Sequence, residues 1–243
     1  MNIKTTMETT MYDNLLLLPL FQGLSKNDLT TIIEKVKFHF LQYKEGEIFI
    51  HQGESCQQLC FLLNGQITIE TADPKHAFSL SEVMEGPYII EPQSLFGMQP
   101  NYTATYRAAT PVSVLTIDKH FIFSELNNYE IFRLNFLNIL SNQNQIAYQK
   151  LWHTHSGTLS EKFMNFIGIR CQKKTGEKVL HTTMEDLASL IDETRINLSR
   201  LLNHLQTKGL VRLKRKEIHL PQFEKLTEYL IETHPTEENH ELR

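Results

Sequence analysis

The chain has 243 residues, of which 41% are hydrophobic and 21% are charged, with a formal net charge of −4, so it can bury the cores of two modest domains. The slightly acidic balance excludes a protein that coats nucleic acid over its whole surface, and a polyanion site would have to be a local basic patch. Three cysteines are too few for a disulfide framework, which favours reduced thiols and a cytoplasmic location.

The first part of the chain predicts a short helix followed by an all-β domain. The apolar run from Leu15 to Phe21 contains Pro19 and lacks a cleavage site of small residues, so we do not interpret it as a signal peptide. No stretch is apolar for long enough to span a membrane. Ser25 and Asp28 cap the helix, and from residue 38 to 117 short runs separated by glycines predict a jelly-roll-like β-roll.

A long helix is predicted from about Tyr129 to Trp152. Apolar residues on it alternate spacings of three and four, which is a heptad-like seam with one polar position. A seam of this kind packs either against its own roll or against a second copy of the chain, and we expect the second copy. The predicted dimerisation residues are Leu137, Leu140, Asn144, Ala147 and Leu151.

The C-terminal part predicts a winged helix-turn-helix. Thr182 or Thr183 can cap a first helix whose apolar residues recur at i, i+3, i+4 and i+7, and Thr194 can cap a second helix with leucines at the same spacing. Lys208-Gly209 ends the second helix, and two short alternating runs then predict a basic hairpin. A helical hairpin with a solvated basic face is the alternative interpretation.

The face of the second helix opposite its leucines is polar and basic. From Arg195 to Lys216 every charged side chain is basic, as expected of a surface that contacts a polyanion. Arginine can bond two acceptors of guanine, asparagine can read adenine, and serine can hold a phosphate. The predicted DNA-binding residues are Thr194, Arg195, Ile196, Ser199, Arg200, Asn203, Lys214, Arg215 and Lys216.

Several motifs, in this order, resemble the Crp/Fnr superfamily of bacterial transcription regulators. The segments 19–25, 43–47, 52–54 and 61–65 are similar to the start and the glycine-punctuated β-roll of that family, and the helix-turn-helix is equally similar. The resemblance implies a homodimer joined along the long helix, with a small-molecule effector in the roll. It also implies recognition helices about one DNA turn apart on a pseudo-palindromic site, and makes RNA polymerase a candidate partner.

The sequence departs from the family at its effector site. The family's cyclic-nucleotide sensors bind a phosphate through Gly-Glu and, about ten residues later, Arg-Ser, and hydroxyl residues of the dimer helix touch the adenine. Here the glycine, the arginine and those hydroxyl residues are replaced, so we do not expect cyclic AMP to bind. The candidate effector pocket is Glu91, Tyr102, Thr103 and Tyr148, with Arg107 as a substitute cation.

A second departure lies in the recognition helix. Many relatives carry glutamate, which accepts from cytosine, at the position of Ile196. Isoleucine prefers contact with a thymine methyl group. We therefore expect the half-site to differ from the family's common one at that base pair.

The resemblance also raises two other cofactors, an iron–sulfur cluster and haem. Its oxygen sensors hold an iron–sulfur cluster on four cysteines, whereas Cys56 and Cys60 lack such companions and are interpreted as core residues. Haem with a histidine ligand stays an alternative, and no other metal site is predicted. The histidines in or beside the roll are His39, His51, His76 and His120.

The sequence thus predicts an α+β protein with a β-roll sensor domain (12–126), a dimerisation helix and hinge (127–155) and a winged helix-turn-helix (156–234). The predicted function is sequence-specific transcription regulation, without enzymatic activity. One alternative is a ligand-sensing or interaction module that lacks sequence-specific DNA binding. Another is a cupin-like metalloenzyme, which needs His-x-His on facing strands, whereas His153 and His155 fall at the end of a helix.

Overall fold

The computed structural model describes residues 15–73, 75, 78–152 and 157–233, apart from the side chains of 150–152 and 231–233. His76, His153 and His155 therefore lie outside the described residues. The chain divides into two compact units, Met1–Thr68 with Met84–Ile146, and Ile69–Val83 with Ala147–Arg243. Both units are discontinuous in sequence, unlike the three consecutive segments that the sequence predicts.

The first unit begins as predicted. A 3₁₀ turn at Pro19–Phe21 leads into helix α1 (Lys26–Lys35), whose N-cap Ser25 accepts a hydrogen bond from the backbone N–H of Asp28. The strands between residues 38 and 118 are β1 (Phe38–Tyr43), β2 (Ile48–Ile50), β3 (Gln58–Asn64), β4 (Gln66–Ala72), β5 (Phe78–Glu85), β6 (Tyr88–Ile90), β7 (Thr105–Ala108) and β8 (Val112–Asp118).

Antiparallel strands form the β-roll of this unit. One sheet has the order β1-β8-β3-β6. Strand β3 lies between two partners, and its apolar residues 59–62 are all buried, so both faces of its central part are covered. Elsewhere in the unit β2 pairs with β7, which adjoins the first residues of β4. The sequence did not predict β6, since three residues are too few for a periodic pattern and only the pairing with β3 defines them.

Two helices follow the roll. These are α2 (Lys119–Ser124) and the long α3 (Glu130–Trp152), at the positions that the sequence predicts. The ring of Phe21 lies 5.5 Å from that of Phe132 on α3 and 6.1 Å from that of Phe61 on β3. This buried aromatic cluster joins the N-terminal turn, the sheet and the start of the long helix into one core.

The second unit contains the predicted winged helix-turn-helix. Its core is built from leucines and phenylalanines of every helix in the unit, and it includes the β5 residues Phe78 and Leu80. The elements after residue 156 are α4 (Leu159–Arg170), β9 (Lys178–Thr182), α5 (Met184–Leu190), α6 (Arg195–Thr207), β10 (Arg212–Lys214), β11 (Glu217–Leu220) and α7 (Phe223–Thr233).

Strand β5 belongs to the sheet of this second unit. It pairs antiparallel with β9, from Phe78 opposite Thr182 to Glu82 opposite Lys178, and β9 pairs on its other side with β11. The sequence pattern predicts this run as part of the β-roll alone. Its alternating pattern shows that one face is buried but does not reveal which strand lies beside it, because strand pairing is a long-range choice.

A buried ion pair fixes this strand pairing. The Lys178 ammonium lies 2.7 Å from a carboxylate oxygen of Glu82, and these side chains are 1% and 4% exposed. The same carboxylate accepts hydrogen bonds from the backbone N–H groups of Gln172 at 2.6 Å and Lys173 at 3.2 Å. All partners of the charge are thus supplied inside the unit, as a buried charge requires.

The predicted α+β architecture, with a β-roll, a long helix and a helix-turn-helix, is confirmed. Within the described residues, none of the helices has both the length and the apolar character needed to cross a bilayer.

We predict that Glu82→Ala lowers the free energy of unfolding by about 3–5 kcal/mol, because it leaves the Lys178 ammonium buried without a counter-charge. Urea unfolding followed by far-UV circular dichroism measures the change. Glu82→Gln combined with Lys178→Met is the matched control. It removes both charges and keeps an acceptor for the Gln172 N–H, so it should recover most of the loss. A loss below about 1 kcal/mol for Glu82→Ala would contradict a structural role for the pair.

Candidate nucleic-acid interface

Capping side chains set the limits of the two helices of the helix-turn-helix. Thr183 accepts from the backbone N–H of Asp186 at the start of α5, and Thr194 accepts from that of Asn197 at the start of α6. At the other end of α6, Gly209 adopts a φ of +72°, and the N–H of Leu210 donates to the carbonyl of Leu205 at 3.0 Å. Glycine is favoured there because a side chain strains this left-handed conformation.

A lysine of helix α4 contacts and stabilises the turn between α5 and α6. Asp192 has a φ of +52°, and its carbonyl accepts from the Lys162 ammonium of α4 at 3.1 Å. Lys162 also pairs with Glu193 at 3.3 Å, with both side chains 20% exposed. Sequence reasoning missed Lys162, since nothing local links residue 162 to residue 193.

Helix α6 buries its leucines and leaves its opposite face in solvent. Leu198, Leu202 and Leu205 are fully buried, whereas Arg200 and Asn203 are exposed. The amide of Asn203 donates to the hydroxyl of Ser199 at 3.3 Å. The exposed residues therefore form a mainly polar surface along the helix.

An apolar residue interrupts this surface near its start. Ile196 is 64% exposed, although an isoleucine usually gains about 1.5–3 kcal/mol from burial. An apolar side chain left in solvent on a polar helix face suits contact with another apolar group, such as the methyl of thymine.

The N-terminus of α6 favours an anion. Its first turn contains no acidic residue, and its free N–H groups carry the positive end of the helix dipole. Arg195 stands there with its Nε 2.9 Å from a carboxylate oxygen of Glu185 on α5, both side chains being about two-thirds exposed. Sequence reasoning missed this acidic neighbour of Arg195.

The hairpin β10–β11 supplies the rest of the positive charge. Arg215 and Lys216 form its exposed two-residue turn, with Lys216 at a φ of +57°. The Lys214 ammonium lies 2.8 Å from the carboxylate of Glu217, and its hydrogen bond lowers the pKa of Glu217. The N-cap Thr194, helix α6 and this wing thus hold all nine residues predicted to bind DNA.

The residues of the candidate effector pocket are distributed over both units. Glu91 and Tyr102 are buried, while Thr103 and Arg107 are exposed. The Arg107 guanidinium donates to the carbonyl of Gly46 at 2.8 Å. Tyr148 is also exposed and belongs to the second unit, whereas the other four belong to the first. Their role in binding an effector stays a prediction.

The predicted dimerisation seam lies on α3. Leu137 is 55% exposed, Leu140 is half-buried, and Asn144 and Ala147 are exposed. The side chain of Leu151 lies outside the described residues. Leu134, one turn before Leu137, is also half exposed, so the apolar surface extends beyond the predicted residues.

The described cysteines and histidines of the roll do not gather into a metal-binding cluster. Cys56 and Cys60 are buried, and burial raises the pKa of both thiols. His39 lies 3.7 Å from Asp118, and His51 and His120 are exposed. Among the described residues no three histidines, cysteines or carboxylates gather where they could hold a metal ion.

Comparison with solved structures shows a shared fold. The chain is similar to the c-di-GMP responsive global regulator CLP of Xanthomonas campestris, with 14% identity and a TM-score of 0.50 over 81% of this chain and 99% of that one. It is also similar to the sensor domain of the transcriptional regulator DNR of Pseudomonas aeruginosa, with 20% identity and a TM-score of 0.50 over 63% of this chain and 99% of that one.

Two family models match the sequence. A cyclic nucleotide-binding domain matches residues 40–129, and a Crp-like helix-turn-helix domain matches residues 162–229. No curated protein matches it significantly. The two matched domains, which together span more than half of the chain, follow one another in the order found in one group of regulators: the chain belongs to the Crp/Fnr superfamily of DNA-binding transcription regulators.

Proposed function

We propose that the protein is a homodimer that reads a pseudo-palindromic DNA site through α6 and its wing, and that cyclic AMP is not its effector. The observation that carries the proposal is the two-sided character of α6. Leu198, Leu202 and Leu205 are buried, and a mainly polar and basic face is exposed beside a basic wing. An α-helix fits the major groove, where each base pair presents a distinct set of donors and acceptors.

The exposed residues divide into two roles. Arg200 and Asn203 extend from the middle of α6 and are the candidates for base contacts, since arginine pairs with guanine and asparagine with adenine. Thr194, Arg195 and Ser199 are placed at or near the helix start and suit phosphate oxygens. Lys214, Arg215 and Lys216 project from the wing, where point charges hold the adjacent backbone without reading sequence.

The apolar surface of α3 supports dimerisation. At about 100° per residue, Leu134 and Leu137 point in directions about 60° apart, and more than half of each side chain is exposed. An exposed apolar strip on a long helix destabilises an isolated monomer and is buried when two copies pack along the seam. Two-fold symmetry then places two α6 helices on equivalent half-sites, about 34 Å apart along the duplex.

We expect selection from randomised duplexes at near-physiological salt to enrich a palindrome with half-sites about ten base pairs apart. In the same experiment Ile196→Glu should change the preferred base at one symmetric pair, because glutamate accepts from cytosine while isoleucine contacts thymine. Ile196→Val keeps the apolar contact and is the control that should retain the site. General duplex binding without an enriched sequence would contradict sequence-specific reading.

On the selected site, Arg200→Ala should weaken binding by about 1–3 kcal/mol and relax the preference at one base pair. Lys214→Ala should weaken cognate and random duplexes about equally and reduce the slope of log affinity against log salt by about 1. Fluorescence anisotropy titrations at several salt concentrations measure both changes. Lys35→Ala, an exposed lysine of α1 in the other unit, is the control. Identical behaviour of the Arg200 and Lys214 variants would refute the assignment of their roles.

We also predict that Leu137→Lys converts the dimer into a monomer, since two buried ammonium groups would face each other across the seam. Sedimentation velocity measures the change. Ile146→Lys is a matched control, because Ile146 is 50% exposed on the same helix but points about 180° away from Leu137. Dissociation by both variants, or by neither, would count against the predicted seam.

A further inference from the structure

A buried carboxylate lies at the centre of the β-roll, immediately before a 3₁₀ turn. Glu91 is 2% exposed and adopts the left-handed region with φ 37° and ψ 57°. A residue other than glycine is strained in this conformation by about 1–2 kcal/mol. The turn Pro92–Ser94 follows directly, so the backbone bends sharply and directs the Glu91 side chain into the unit.

Every oxygen of this carboxylate is occupied by donors of the chain. One oxygen accepts from the N–H groups of Thr103 and Ala104, each at 3.1 Å, and from the hydroxyl of Tyr106 at 2.9 Å. The other accepts from the hydroxyl of Ser94 at 2.6 Å and from the N–H of Thr103 at 2.8 Å. Two successive backbone N–H groups and two hydroxyls thus converge on one charged group.

This arrangement is an anion-binding site. Successive N–H groups that point to the same place form a concavity suited to carboxylate or phosphate oxygens. Burial, followed by the charge of Glu91, raises the pKa of Tyr106, so its phenol stays protonated and donates. Each of these four donors makes a hydrogen bond to the Glu91 carboxylate.

Arginine, the usual partner of an external phosphate, is not directed to this place. The guanidinium of Arg107 donates to the carbonyl of Gly46 instead, and the residue itself is exposed. The donors around Glu91 therefore provide hydrogen bonds to one negative group without an additional positive charge. One carboxylate matches that capacity, while a phosphate diester of a nucleotide would also need space that the side chain of Glu91 fills.

The family's nucleotide sensors also carry a glutamate here, but it follows a glycine that this chain replaces with Ile90. We infer that Glu91, in the conformation that it adopts in this chain, is a built-in anionic ligand: its carboxylate fills the anion site of the β-roll, so the site does not respond to nucleotides or other phosphate-bearing molecules. The strain in the backbone of Glu91 is offset by the hydrogen bonds that its side chain accepts. A change of state in the roll must then come from a different surface, or the roll acts as a fixed support.

Removal of the carboxylate tests this inference by chemical rescue. Glu91→Ala leaves four buried donors without an acceptor, so its melting temperature should fall by roughly 5–10 °C relative to the wild type. The group that Glu91→Ala removes is equivalent to one acetate ion. Acetate should therefore raise the variant's melting temperature saturably when compared with chloride at equal ionic strength, and leave the wild type unchanged.

Two further variants distinguish the loss of the carboxylate from a general loss of stability. Leu115→Ala empties part of the core of the same unit, where Leu115 is fully buried; it should melt at a lower temperature and show no response to acetate. Glu91→Gln keeps the volume but turns amide hydrogens toward the N–H donors. It should also melt below the wild type, without rescue, and it allows a test if Glu91→Ala does not fold.

Nucleotides provide the complementary test on the wild-type protein. Cyclic AMP, cyclic GMP and inorganic phosphate should leave its melting temperature unchanged at millimolar concentration. The acetate and stability readouts are independent of DNA binding, so their failure is distinct from failure of the proposed reading of DNA. Binding of cyclic AMP would, by contrast, also contradict the proposal that cyclic AMP is not the effector. Saturable nucleotide binding by the wild type, an absent response of Glu91→Ala to acetate, or wild-type stability of Glu91→Gln would each overturn the inference.

Discussion

The second unit depends on the buried pair between Lys178 and Glu82. Without the carboxylate, the ammonium would be enclosed in a protein interior with no compensating charge, which is among the least favourable arrangements in a folded chain. The pair sets the register of β5 against β9, and that register places Phe78 and Leu80 in the core beneath α4. The support of the recognition helix is therefore built partly from residues that come about 100 positions earlier in the chain.

Contacts in the same unit fix the position of α6, whose exposed face is the candidate DNA-binding surface. Buried leucines fix the inner face of α6, and the Lys162 contacts fix the turn before it. The outer face is left exposed, and its polar side chains make few contacts with the rest of the unit. Rigidity in the backbone combined with exposed side chains is suited to groove recognition, because base edges must meet donors at fixed positions.

Local patterns predicted the helices and their ends well. Thr183 and Thr194 act as N-caps, as their spacing indicates, because capping is decided within four residues. The leucine spacing likewise identified the buried face of α6. The DNA-binding residues predicted on α6 follow from this face, since they are the side chains on its opposite side.

Long-range contacts were beyond the sequence. The alternation of β5 indicates a half-buried strand, but its pairing with β9 depends on a lysine 96 residues away. Glu91 was recognised as a candidate for effector binding, yet no pattern indicated that its carboxylate is satisfied by Thr103, Ala104 and Tyr106 of the chain itself. In both cases the sequence shows the charged residue but does not show which residues contact it.

The discontinuous second unit limits how this regulator can be assembled or recombined. On the ribosome, the segment Ile69–Val83 emerges well before the rest of the unit in Ala147–Arg243. Strand β5 therefore cannot pair with β9, and the Glu82 carboxylate cannot pair with Lys178, until β9 has been synthesised. A gene fusion that joins only the C-terminal half to a different sensor would discard a strand and a counter-charge of the DNA-binding unit.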